Sequence, residues 1–225
     1  MNMPDPALAV GQSFLFALVA TLPIINPFAS APVFVQLTRE LDSAARTMLA
    51  QRIARNTAAL LVGAMLLGSH VLHFFGISLP VVRVAGGLVV VSIAWRMLNA
   101  QQMTDEDQAQ VAQNVCESDI RMRAFYPLTF PITYGPGSIS VAIAVGASLH
   151  TRSNLTEAMF NTLGGIVAML LLGVLVGVVF RYADRLLGML GEIGTVVFLR
   201  LMAFLLLCVG LQIAWDGVRA LVQGL

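Results

Sequence analysis

Between Val10 and Thr38 the chain carries no charged residue, yet Pro23, Pro27 and Pro32 all fall inside that run. As one straight helix this stretch would rise about 43 Å, against a hydrocarbon core of about 30 Å. Proline withholds a backbone donor, clashes with the preceding turn and pushes the residue before it out of helical geometry. The step Asn26-Pro27 therefore predicts a break. Carbonyls freed inside a bilayer need partners, so such a segment is stable only where it is buried in protein or lines a cavity. The chain must accommodate a spanning segment that is tilted, broken or re-entrant, and the stretch Thr21 to Pro32 predicts half of a binding site.

The same absence of charge recurs downstream. Asn56 to Pro80 holds only His70 and His73 among titratable residues, and Ala124 to Leu149 holds no charge. The whole chain is 58% hydrophobic and 11% charged, where a soluble domain is about one quarter charged. Apolar runs at 10–38, 56–75, 80–98, 124–149, 158–180 and 196–218 predict six spans. The expected fold class is an all-α polytopic membrane protein. Residues 1–98 form a first three-helix repeat and 124–225 a second. A polar cytoplasmic connector, 99–123, lies between them with Asp105, Glu106, Asp107, Glu117 and Asp119. Asp5 replaces a basic leader region and Pro23 interrupts the apolar run, so the first span is expected to be retained in the mature protein.

All basic residues are arginine, and they are unevenly placed. Arg39, Arg46, Arg52, Arg55, Arg96, Arg121, Arg123, Arg181, Arg185 and Arg200 follow spans one, three and five; only Arg83, Arg152 and Arg219 fall on the other side. The positive-inside rule puts the first group in the cytoplasm and both termini outside. A formal net charge of +1 implies no nucleic-acid partner.

The two halves also resemble each other. Thr21-Leu22-Pro23-Ile24 matches Thr129-Phe130-Pro131-Ile132, and each precedes a break, Asn26-Pro27 or Gly135-Pro136-Gly137. Asn56-Thr57 matches Asn161-Thr162, each followed at the same distance by Leu-Leu-Gly, ending at Gly68 and Gly173. Ile93-Ala94-Trp95 matches Ile213-Ala214-Trp215. With three spans per half, the second copy enters the membrane from the opposite side, which is the inverted repeat of many secondary transporters. The prediction is six transmembrane helices as two inverted repeats, with the first helix of each half broken.

An Asn-Pro break followed by Pro32-Val33-Phe34 and Leu37-Thr38, together with the run Phe130-Pro131-Ile132-Thr133-Tyr134-Gly135-Pro136-Gly137-Ser138-Ile139, resembles the MarC family of bacterial and archaeal integral membrane proteins. The resemblance covers essentially the whole chain. It implies six spans, an inverted-repeat fold and residence in the inner membrane. For some members it implies transport of small neutral amino acids such as alanine and glycine, while the family name implies a link to multiple antibiotic resistance.

If the two breaks meet at the midplane, half-helix N-termini offer N–H donors to a carboxylate, and unwound carbonyls accept from an ammonium. The predicted substrate-binding residues are Asn26, Pro27, Ser30, Thr129, Thr133, Tyr134, Gly135, Pro136, Gly137 and Ser138, none of them ionised. Intramembrane charges mark proton relays and counter-ions for charged solutes, so a neutral lining favours a net-neutral zwitterion. The expected function is a secondary carrier for alanine, glycine or serine. The alternatives are an exporter of hydrophobic compounds and a membrane protein without transport activity, its prolines and glycines serving only close helix packing. No cofactor is expected; Na+ or H+ coupling and an oligomeric state stay open. Enzyme chemistry is not expected, because Gly135-Pro136-Gly137-Ser138 lacks the register of a nucleophile elbow. His70 and His73 lack further ligands at metal spacing, and Asp216 and Arg219 are spaced as an i,i+3 pair.

Overall fold

The computed structural model describes residues 6–38, 41–99, 124–150 and 155–223, and every regular element among them is helical. Pro6, whose missing N–H costs nothing at a first helical position, opens α1 (Pro6–Ile25). Asn26 interrupts it, and α2 (Pro27–Leu37) continues after the break. The side chain of Asp42 caps α3 (Ser43–Phe74), accepting from the Ala45 N–H at 2.8 Å. This helix already begins at Ser43, so Arg46, Arg52 and Arg55 lie on it rather than in a loop before a span starting at residue 56. Gly76, at φ 67°, supplies the left-handed residue that closes its C-terminus, with Ile77 N–H reaching the Leu72 carbonyl at 2.9 Å.

The chain turns back as α4 (Leu79–Asn99). The connector at 100–123 lies outside the described residues. The second half opens with a π-helical segment (Ala124–Thr133), followed by α5 (Pro136–His150), α6 (Leu155–Arg181) and α7 (Ala183–Gln223). Non-helical backbone at Gly191 kinks α7 near its start.

Among the described residues, five helical stretches are long and apolar enough to cross a membrane: Pro6–Val35, Ser43–Phe74, Leu79–Arg96, Thr156–Arg181 and Gly194–Gln223. The sixth expected span is shorter as an α-helix, Gly137–Leu149, because the π-helical segment takes up its first half.

Small residues set the packing. α1 lies along α6, α3 along both α5 and α6, and α4 along α7. A Cβ on Gly173 would come within 2.8 Å of the Ala54 carbonyl, and one on Gly217 would lie 2.8 Å from the Pro80 carbonyl. Such backbone approach is how helices associate where lipid removes the hydrophobic drive. Ser13 Oγ donates to Asn161 Oδ1 at 2.7 Å across the α1–α6 contact. Leu88, Val174, Phe204, Trp95 and Trp215 point outward, giving the bundle an apolar surface suited to lipid.

Candidate functional site

The first break is confined to one residue. Pro27 has no N–H to give to the Pro23 carbonyl, and the helical ladder of α1 ends at Asn26 N–H to Leu22 carbonyl, 3.0 Å. Asn26 then takes φ 36°, a left-handed conformation that asparagine tolerates better than most side chains. Its Oδ1 accepts the Ala29 N–H at 3.3 Å and its own carbonyl accepts the same group at 3.0 Å, so it caps α2. Ser30 Oγ donates to the Pro27 carbonyl at 3.2 Å.

The second break is spread over several turns. Pro127 and Pro131 each withhold a backbone donor from an α-helical ladder, and the segment takes the wider π register instead. Bonds therefore run five residues back: Tyr134 N–H to the Thr129 carbonyl at 2.7 Å, Thr129 Oγ1 to the Ala124 carbonyl at 2.6 Å, and Thr133 Oγ1 to the Leu128 carbonyl at 2.7 Å. Tyr134 and Gly135 stand outside the helices, and Pro136 restarts them as the first residue of α5. Tyr134 reaches α3, its hydroxyl donating to the Leu60 carbonyl at 3.1 Å.

The two breaks adjoin. A Cβ on Gly137 would lie 3.6 Å from Ile24 Cγ2 and would collide with the Val90 side chain. Two interrupted helices and α4 therefore meet around Gly137, with Ser138 buried beside it. The polar side chains expected to face a ligand do so less than anticipated. Ser30, Thr129 and Thr133 bond back to their own backbone. Thr21 and Thr57, by contrast, are fully buried with hydroxyls that find no partner among the described residues. Neither is among the individually predicted substrate-binding residues, although Thr21 opens the predicted half-site and stands in the repeated Thr-x-Pro-Ile motif, and Thr57 stands in the repeated Asn-Thr pair.

A cleft of about 420 Å³ runs between α1, α4, α5 and α7. None of the residues predicted to bind substrate lines it, but Pro23 and Ser140, immediate neighbours of the breaks, do. Towards the arginine-poor end its walls carry Arg83, Gln212 and Asp216. Asp216 accepts from Gln212 Nε2 at 3.0 Å instead of pairing with Arg219.

The opposite, arginine-rich end is closed. Phe34 of α2 stacks on Phe180 of α6 with ring centroids 4.6 Å apart, both buried. Arg46 of α3 ties this end together, donating through Nε to the Thr38 carbonyl at 2.8 Å and through Nη1 to Asp184 of α7. His70 and His73 sit exposed on the last turns of α3, and no group of three or more metal-ligating side chains converges among the described residues.

Residues 11–222 match the description MarC family integral membrane protein. The chain is similar to the inner membrane protein MarC of Salmonella typhimurium, 29% identical over 223 residues that make up 98% of this chain and 99% of the relative. It is 30% identical to the inner membrane protein MarC of Escherichia coli O139:H28 over 208 residues, 92% of this chain and 94% of the relative. No solved structure matches it. The match takes in both interrupted helices and nearly the full length of each relative: the chain belongs to the MarC family of integral membrane proteins and is a multi-pass helical protein of the inner membrane.

Proposed function

We propose that this protein is a secondary carrier for small neutral amino acids such as alanine, glycine or serine, holding the zwitterion where the two broken helices meet. The observation that carries this reading is the approach of Gly137, at the start of α5, to Ile24, at the end of α1. Irregular backbone at membrane depth belongs where it lines a substrate path. The side chains named at both breaks are uncharged, which suits a ligand of no net charge.

The packing supports the inverted-repeat part of the reading. Exchanging α1 for the π-segment and α5, α3 for α6, and α4 for α7 turns the α1–α6 contact into the α5–α3 contact. The same exchange leaves the α3–α6 and α4–α7 contacts paired with themselves. A two-fold axis in the membrane plane would produce that pattern. With both termini outside, as the arginine count favours, the closed end faces the cytoplasm and the cleft faces out.

The test is counterflow of labelled alanine, glycine and serine in proteoliposomes, with Asn26→Ala and Gly135→Leu as folded controls. Exchange of at least one of these, reduced in both controls, is the expected result; no exchange by folded protein would sink the reading. A second reading, export of hydrophobic compounds, draws on the apolar walls of the cleft, formed by Phe16, Val19 and Val209. It expects altered drug susceptibility on deletion, and unchanged susceptibility counts against it.

A further inference from the structure

The charged end of the cleft has a chemistry that the breaks lack. Arg83 is half-buried, and among the described residues its guanidinium has no ion pair, hydrogen bond or aromatic ring to engage. A cation withdrawn from water without a partner is costly, and in a membrane protein it points to a functional counter-charge. Asp216 lines the same cleft, and one of its oxygens accepts from Gln212, leaving the other for a second donor. The two residues stand on helices whose backbones nearly touch at this level, since a Cβ on Gly217 would lie 2.8 Å from both the Pro80 carbonyl and the Val84 N–H nitrogen. Yet Arg83 and Asp216 do not pair with each other.

The route inward is marked along α4. Gly86, one turn beyond Arg83, faces Ser140, and Val90, one turn further, faces Gly137 at the break. From Arg83 to Val90 the helix rises about 10 Å, so the charged end lies too far from the break for one small amino acid to touch both.

We propose that Arg83 and Asp216 form a separate outer site that selects zwitterions, Arg83 binding the carboxylate and Asp216 the ammonium, before the ligand passes Ser140 to the break. Arginine suits the first task because its planar fork pairs with both carboxylate oxygens. Requiring both charges disfavours plain acids and amines, each of which would leave one of the two charges without its counterpart. The outer site rests on the carrier reading for its role in transport, but its occupancy can be measured without transport.

The experiment places a single cysteine, Ser148→Cys, in the cleft of a chain carrying Cys116→Ser and Cys208→Ser. The protein is reconstituted in phosphatidylglycerol vesicles, where no lipid ammonium competes, and treated from outside with a membrane-impermeant thiol reagent. Ala144→Cys, also on the cleft wall, serves if the first variant does not fold. L-Alanine should slow labelling, while propionate and ethylamine should not. Arg83→Gln and Asp216→Asn should each raise the protecting concentration about tenfold, as expected for one lost charge-assisted contact. Equal protection by propionate or ethylamine, or protection unchanged in both variants, overturns the outer site. Alanine exchange without protection overturns it too while the carrier reading stands; protection without exchange supports the outer site and removes the carrier reading.

Discussion

The two breaks answer the same sequence anomaly in different ways. At Thr21-Leu22-Pro23-Ile24 the disruption is gathered into one left-handed residue, Asn26; at Thr129-Phe130-Pro131-Ile132 it is diluted over a ten-residue π-helix. The second break is thereby anchored: Thr129 and Thr133 bond to the backbone five residues back, and Tyr134 is tied to α3. The first break keeps polar capacity in reserve, because the hydroxyl of Thr21, the counterpart of Thr129, is buried without a partner among the described residues. Unsatisfied buried groups are rare enough to need a reason, and a ligand or water that comes and goes supplies one. On the carrier reading, the second break would be the fixed wall and the first the side that responds.

The comparison breaks most visibly where the breaks touch. Gly137→Leu forces a side chain into Val90 and Ile24, and overpacking of this kind costs about 1–3 kcal/mol. A lowered melting temperature is expected, relieved when the milder Gly137→Ala is combined with Val90→Ala. If the double variant melts no higher than Gly137→Ala alone, Val90 is not the obstructing partner.

A smaller effect separates backbone from side chain at the first break. Asn26→Ala places an alanine in a left-handed conformation, about 1–2 kcal/mol, and removes a cap, about 1 kcal/mol. Asn26→Gly removes only the cap and should melt clearly above Asn26→Ala. Equal melting of the two would mean that φ 36° carries no cost and the break is held by something else.

The smallest effect bears most directly on the asymmetry. Thr129→Val loses a hydrogen bond and should cost about 1 kcal/mol, whereas Thr21→Val should cost close to nothing, having no bond to lose. If Thr21 serves the ligand, its valine variant raises the half-saturating alanine concentration at unchanged stability. Matching losses of stability in the two variants would abolish the distinction between a fixed wall and a responding side.

Much of this was legible before any coordinates. Asn-Pro inside an uncharged run dictates a break wherever it occurs, because the missing donor and the ring clash are local. Five of the six expected spans are legible for a different reason, since hydrocarbon tolerates few charges. The start of α3 was not legible: arginines read as loop, yet Asp42 caps a helix that carries Arg46, Arg52 and Arg55 at the membrane edge. The π-helix was hidden because two prolines signal only that an α-helix fails, not which register replaces it. At the breaks the sequence does not reveal how the polar side chains bond, and Ser30, Thr129 and Thr133 turn to their own backbone. The cleft could not be read at all. Arg83 and Asp216 each looked like an ordinary helix-end charge until packing set them on facing helices.

The aromatic stack at the arginine-rich end has an electrical consequence. A bundle with unwound backbone and unpaired hydroxyls at its centre offers water a foothold, and a continuous file of water would short-circuit the membrane potential. Phe34 and Phe180, at 1% and 2% exposure, set two stacked apolar rings at the arginine-rich end, where they would interrupt such a file. They have no polar atom with which to pass a proton. On the carrier reading, a solute crossing the bundle would have to displace them, so the stack would insulate the membrane as well as close the path.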